Sequence, residues 1–238
     1  MKTAYLFDVD GTLTVSRQEI DPGFAAVFRQ FCLKFPTYIV TGSDKPKTVE
    51  QIGKDLFDLA IRSYNCSGND VYEADQNIYT NDWVLPEKPW KYLESKLLYS
   101  KFGPKAGWHF EERPGMLNFS IVGRKANPQQ RAQYIEWDQQ TNERRIIASE
   151  FNELFHADGI TAEIGGQTGL DIYPVGCDKS QIIRDFDEYD QVVFFGDSMW
   201  EGGNDYSLAE AVRARGGVAH WVEGWTDTEK LLKKLLSD

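Results

Sequence analysis

Two apolar runs of strand length, far apart in the chain, both end in aspartate. The first is Ala4 to Phe7 in TAYLFDVDGT, which runs into Asp8 and Asp10 before a Gly-Thr turn. The second is QVVFFGD, which ends at Asp197. Strands without polar alternation are covered on both faces, as in parallel sheets. Residues 1 to about 82 alternate such strands with helical patterns. A helix over Ala25–Leu33 follows the first strand, entered through Asp21-Pro22 as N-cap and first helical residue. TYIVTGS reads as a second strand, Thr48–Leu56 as a second helix and LAIRSYNCSG as a third strand. That order specifies an α/β fold on a parallel sheet. Ligands of such sheets bind at the carboxyl ends of strands, where Asp8, Asp10, Thr41 and Ser43 lie.

The same pattern returns near residue 178. Lys179–Phe186 reads as a helix and QVVFFGD as a strand. A helix after GGND, a short strand GGVAHWV and a closing helix Thr226–Leu236 follow. The middle reads differently. In PGMLNFSIVGR, Leu117, Phe119 and Ile121 face one way, and Asn118, Ser120 and Arg124 the other, so one face is apolar and one polar. Arg113 and Arg124 are expected at the two ends of this one strand. A single long helix is expected from Asn127-Pro128 to Phe155, its apolar positions being Tyr134, Trp137, Ile146, Ile147, Phe151 and Leu154. ITAEIGGQTGLDIYP reads as two strands around a Gly-rich turn. The expected organisation is a core of residues 1–83 and 175–238, interrupted by an α+β insert of residues 84–174.

Charge narrows the partners. The chain has 238 residues, 37 acidic against 26 Lys and Arg, and a formal net charge of -11, which argues against nucleic acid and anionic membranes. No segment approaches the roughly 18 apolar residues of a membrane helix, and the N-terminus lacks a signal-peptide pattern. Cys32, Cys66 and Cys177 are odd in number without CxxC spacing, so free thiols in a reducing cytoplasm are expected.

Asp8 and Asp10, two residues apart in an extended chain, share one side and repel unless a cation sits between them. Neighbouring parallel strands would add Asp197, giving a hard, oxygen-rich site suited to Mg²⁺. Asp205, in EGGND, is placed to hold a metal-bound water. Such a site suits phosphate, because metal and added donors reverse the repulsion between carboxylates and a phosphoryl dianion. Ser43 in VTGS offers a hydroxyl and backbone N–H groups for phosphoryl oxygens. Lys179 opens a helix, against the dipole, so its charge suggests a task such as holding a phosphoryl oxygen or the nucleophile.

The motifs FDVDGTLT, IVTGS, Lys179 and FFGDSMWEGGND, in this order, resemble the haloacid dehalogenase superfamily of phosphotransferases. The insert's FEERPGMLNFSIVGR, Arg131 and IGGQTGLDIYPVGCDK, with Arg17 in the opening FDVDGTLTVSRQ, resemble the eukaryotic-type phosphomannomutase family. The resemblance implies a Rossmann-like core domain with an inserted α+β cap. It implies interconversion of hexose 6-phosphate and hexose 1-phosphate, mannose above all, through an aspartyl-phosphate and a hexose 1,6-bisphosphate activator. That activity serves GDP-mannose biosynthesis. Asp8 would be the nucleophile, Asp10 the acid/base and Lys179 a catalytic cation. Mg²⁺ would sit among Asp8, Asp10, Asp197 and Asp205. Arg17, Ser43, Arg113, Arg124, Arg131 and Asp171 would bind the sugar phosphate, the last three arginines gripping its distal phosphate. A homodimer through the cap is also implied. A Mg²⁺-dependent sugar-phosphate phosphatase of the same superfamily would share every core motif. The chain departs from the family at Gly169, where the family has serine. It departs again at Ser67-Gly68-Asn69-Asp70 and at Glu210–Arg213, where a monovalent-cation site would fall.

Overall fold

The computed structural model describes residues 2–237. Met1 and Asp238, the outermost positions of the expected core, lie outside the described residues. The chain forms two compact units, residues 1–81 with 176–238 and residues 82–175. In chain order the strands are β1 (Thr3–Phe7), β2 (Thr37–Val40), β3 (Arg62–Asn65), β4 (Asp70–Glu73), β5 (Gln76–Thr80), β6 (Phe110–Arg113), β7 (Met116–Phe119), β8 (Ile160–Gly165), β9 (Gly169–Pro174), β10 (Gln191–Gly196) and β11 (Val218–Trp221). The α-helices are α1 (Pro22–Lys34), α2 (Lys45–Ile52), α3 (Lys54–Leu59), α4 (Glu87–Tyr99), α5 (Pro128–Thr141), α6 (Glu143–Phe155), α7 (Tyr206–Ala214) and α8 (Trp225–Ser237).

The first unit is built on a sheet of order β11-β10-β1-β2-β3-β4-β5, parallel from β11 to β3. Its central strands carry apolar residues on both faces because both are covered. Tyr5, Phe7, Ile39 and Phe195 pack on one side with Phe24, Phe28 and Phe31 of α1 and Leu232 of α8. Ala4, Leu6, Val40 and Phe194 pack on the other with Phe186, Leu208 and Val212. Phe7 pairs with Phe195 on one side and Ile39 on the other, so β10, β1 and β2 end at one level. Asp8, Asp197 and Thr41 therefore leave the sheet at the same edge. The chain steps from β1 to β2 in one direction and from β10 to β11 in the other, so this edge is the switch point where a crevice opens.

Several boundaries differ from those expected. The helix expected over Thr48–Leu56 is two helices, because Gly53 adopts φ +85° and ends α2. The third strand stops at Asn65, and Cys66, Ser67 and Gly68 turn with φ of 49°, 59° and 89°. The antiparallel hairpin β4–β5 beyond it is not legible in the alternation, since β5 is exposed along its length. Lys179–Phe186 is a 3-10 helix.

The second unit is a four-stranded antiparallel sheet, β6-β7-β9-β8. Leu117, Phe119, Ile160, Ala162, Leu170 and Ile172 face Leu93 of α4, Tyr134 of α5, and Ile147, Phe151 and Phe155 of α6. The single long helix is two, broken where Asn142 takes φ 55°, a conformation asparagine tolerates. Ile146 and Leu154, expected on the apolar face, are exposed. Helix α4 was not anticipated. Strand β7 ends at Phe119, so Arg113 and Arg124 do not mark two ends of one strand: Arg113 closes β6 and Arg124 lies beyond β7. No helix among the described residues is long and apolar enough to cross a membrane.

Candidate functional site

In the first unit, β1 delivers Asp8 at 3% exposure, its N–H on the Phe195 carbonyl at 3.0 Å. Lys179, at the start of the 3-10 helix, is fully buried. Its Nζ donates to Asp8 Oδ1 at 2.6 Å and to Asp205 Oδ1 at 2.7 Å. Asp205 Oδ2 accepts from the Ser198 N–H at 3.1 Å. Carboxylate oxygens of Asp8, Asp197 and Asp205 all lie within 4.8 Å of one another. Gly11, φ +85°, lies against the Asp197 carboxylate, and a Cβ there would collide with it. That is a physical reason for glycine in the DxDGT turn.

The electrostatics are unbalanced. Burial pushes the Asp8 carboxyl well above its ordinary range; Asp205 and Asp197 add to this and Lys179 opposes it. Burial, then Asp205, pushes Asp197 up to about 7. Burial disfavours the Lys179 charge, but Asp205 and Asp8 outweigh it and hold the ammonium above its ordinary value. Fully ionised, three carboxylates against one ammonium would leave two negative charges in a dry place, and the upward shifts of Asp8 and Asp197 express that cost. A small divalent cation with oxygen ligands fits that donor set and that charge.

Asp10 stands apart from this set. Its Oδ1 accepts from the Arg17 N–H at 2.7 Å and from Gln51 Nε2 at 3.0 Å, while the Ser43 hydroxyl lies 3.5 Å from Oδ2. Of the four residues expected around the metal, the structure brings together the carboxylates of Asp8, Asp197 and Asp205, whereas Asp10 is expected to offer its backbone carbonyl. The Asp10 carboxylate is engaged elsewhere. Arg17 meets Asp10 through its backbone, at a positive φ of 63°. Ser43 is close to Asp10, but its N–H donates to Thr41 Oγ1 and its carbonyl accepts from the Cys66 N–H. Gln51 went unremarked in the sequence, where it is one polar residue in a helix. It is 1% exposed, and its Nε2 also donates to Thr14 Oγ1 at 3.1 Å.

In the second unit, the polar face of the sheet carries the other expected residues. Glu111, Asn118, Asp171 and Glu163 form one row in register across all four strands. Arg113 Nε donates to Glu111 Oε2 at 2.9 Å, and Arg124 Nη2 reaches the same oxygen at 2.6 Å. Arg124 Nη1 donates to Asn118 Oδ1 at 3.0 Å, and Asn118 Nδ2 to Asp171 Oδ1 at 2.6 Å. Asp171 is 4% exposed. Arg131, in the first turn of α5, donates to Thr168 Oγ1 at 3.1 Å. The N-terminus of α5 is closed by its own capping box, with the Gln130 N–H on Asn127 Oδ1 and the Asn127 N–H on Gln130 Oε1, and the Arg131 N–H is on the Asn127 carbonyl. Those donors are therefore engaged within the helix and are not available to an anion. Gly169 sits over Asn118, where a Cβ would lie 2.8 Å from Nδ2.

Comparison with known proteins follows the same lines. A family model described as eukaryotic phosphomannomutase matches residues 24–238. A phosphomannomutase of Spinacia oleracea is 32% identical over 231 residues, covering 94% of this chain and 92% of its own. One of Schizosaccharomyces pombe is 32% identical over 247 residues, covering 99% and 95%. Among solved structures, the C-terminal domain of Candida albicans trehalose-6-phosphate phosphatase superposes with a TM-score of 0.68 at 13% identity, over 99% of this chain and 92% of that one. A haloacid dehalogenase-like hydrolase of Bacteroides thetaiotaomicron gives 0.59 at 12% identity, over 99% and 100%. These structural likenesses concern the fold alone.

Proposed function

This chain belongs to the eukaryotic phosphomannomutase family, phosphotransferases of the haloacid dehalogenase superfamily, and from that premise we propose that it interconverts hexose 6-phosphate and hexose 1-phosphate, with mannose the preferred sugar. The observation that carries the proposal is the different treatment of the two opening aspartates. Asp8 is buried on Lys179 beside Asp197 and Asp205, while Asp10 is held by Gln51 and the Arg17 N–H. Two carboxylates in unlike surroundings suit two unlike roles.

In this reading Asp8 attacks the phosphorus and becomes an aspartyl-phosphate while the sugar oxygen leaves. Asp10 donates a proton to that oxygen, then removes one from the hydroxyl that takes the phosphoryl group back. Lys179 favours the ionised, attacking form of the Asp8 carboxylate and binds a phosphoryl oxygen with Ser43. Asp8, Asp197 and the Asp10 carbonyl are proposed to hold Mg²⁺, supported by Asp205, and the ion would neutralise the transferring phosphoryl group. Arg113, Arg124 and Arg131 are proposed to bind the phosphate that is not reacting. Plain hydrolysis needs no such grip, whereas a mutase must keep a bisphosphate in two orientations. The test is incubation with mannose 1-phosphate and Mg²⁺, with and without hexose 1,6-bisphosphate, measuring free phosphate and isomerised sugar together. Primer-dependent isomerisation is expected. Stoichiometric phosphate release without isomerisation would make the protein a sugar-phosphate phosphatase.

A further inference from the structure

In the second unit, Arg113 donates from Nε and Nη2, and Arg124 from Nη2, to one oxygen, Glu111 Oε2. Three charged donors on one oxygen is the arrangement a phosphoryl oxygen takes between two guanidinium groups. Both arginine side chains are 11% exposed and that of Glu111 is 27% exposed. Burial works to raise the Glu111 carboxyl, yet Arg113 and Arg124 outweigh it and hold it below its ordinary value. Glu111 is therefore an anion at neutral pH, seated where an anion is bound.

We propose that Glu111 is a specificity-determining residue of the distal-phosphate seat: its carboxylate fills the seat as an internal anion, and a ligand enters by replacing it. The inference rests on the reading that Arg113 and Arg124 bind that phosphate. A second contact separates a competitor from an anchor. Arg124 is held independently through Nη1 on Asn118, which is itself fixed on Asp171. When Glu111 yields, Arg124 keeps its place. A monoanion would exchange one charge for one and gain little. A phosphate dianion brings a second charge and more acceptor oxygens, so the seat selects it. The same competition limits how tightly the phosphate is held, which suits a bisphosphate that must let go and turn.

The full-length, Mg²⁺-loaded protein is titrated calorimetrically with mannose 6-phosphate and mannose 6-sulfate, without a bisphosphate primer. Removing a charge-assisted competitor is worth roughly ten- to a hundredfold. Glu111→Gln should tighten mannose 6-phosphate about tenfold or more and narrow its advantage over the sulfate. Glu111→Asp should stay within about threefold of the parent, since the charge remains. Looser or unchanged binding in Glu111→Gln overturns the proposal and makes Glu111 an anchor. If that variant does not fold, the parent decides: equal affinity for the phosphate and the sulfate ester refutes selection by an internal anion. Arg124→Ala separates the two layers. If it loosens mannose 6-phosphate while Glu111→Gln fails to tighten it, only the role of Glu111 falls. If it changes nothing, the arginine reading falls and this inference with it.

Discussion

Asp197→Asn should stabilise the metal-free protein at pH 8 and destabilise the Mg²⁺-loaded one. In the absence of metal, the Asp197 carboxyl is pushed from an ordinary 3.8 up to about 7 by burial and by Asp205. The folded chain then binds more protons than the unfolded chain between pH about 4 and 7, so stability falls as pH rises through that window. Below pH 4 both states are protonated and the penalty is absent. Above pH 7 it is fully expressed. A carboxyl raised this far corresponds to about 4 kcal/mol at about 1.4 kcal/mol per tenfold in acidity. Asp197 is only partly buried and shares its burden with Asp205, so about 1–2 kcal/mol is the realistic expectation. The assay is urea unfolding in EDTA at pH 5 and pH 8, parent against variant. The variant should gain at pH 8 and keep only about a third of that advantage at pH 5. In saturating Mg²⁺ the parent should be the more stable, because binding only to the folded state adds to stability. A variant no more stable than the parent at pH 8 in EDTA would refute the electrostatic account. So would an equal difference at both pH values.

Asp8→Asn should remove turnover while leaving the fold intact, with less than about a hundredth of parent activity by steady-state assay and a single cooperative unfolding transition retained. EDTA should abolish activity and Mg²⁺ restore it. Ca²⁺ should compete without supporting turnover, which initial rates at mixed ion ratios would show. Arg131→Ala should lower hexose-phosphate kcat/KM by about ten- to a hundredfold and leave p-nitrophenyl phosphate nearly unchanged; equal losses on both would assign Arg131 to the fold. Gln51→Leu leaves Asp10 with the Arg17 N–H and the long Ser43 hydroxyl contact but without the Gln51 donor, so kcat should fall about tenfold with KM little moved, and a change confined to KM would exclude this role.

The acidic cluster of the first unit was legible because one local rule places its strand-end members. An apolar strand that ends in Asp places that Asp at a sheet edge, and the rule applies to Phe7-Asp8 and again to Gly196-Asp197. The parallel sheet, the flanking helices and the split in the chain follow from the same alternation. Residues that act by supporting others had no such signal. Gln51 looks like any polar residue on a helix, and its contact with Asp10 spans 41 positions. Glu111 reads as one of two adjacent acids in FEERP, and only the pairing of β6 with β7 sets it on the face that carries Asn118. The two broken helices failed for a shared reason. Gly53 and Asn142 lie within continuous apolar periodicity, and periodicity does not report a single residue turning to positive φ. Hairpin β4–β5 failed because an exposed edge strand has no face to bury and hence no alternation to read.

Charge makes the chemical logic of the two units complementary without any reference to their arrangement. The cluster in the first unit is Asp8, Asp197 and Asp205 against Lys179, two negative charges in excess. A divalent cation, as proposed, would offset that excess, which by itself repels a phosphoryl group. The cluster in the second unit is Arg113 and Arg124 against Glu111, one positive charge in excess, in contact through Asn118 with an acceptor, Asp171, suited to sugar hydroxyls. It needs no metal to bind an anion. Metal removal should therefore abolish chemistry while retaining a weaker, arginine-dependent affinity for sugar phosphate. In EDTA, calorimetric binding of mannose 6-phosphate should persist in the parent and vanish in a protein carrying both Arg113→Ala and Arg124→Ala. Complete loss of binding in the parent on adding EDTA would mean that the core cluster, with its metal, supplies the affinity, and that the arginines only orient what is already bound.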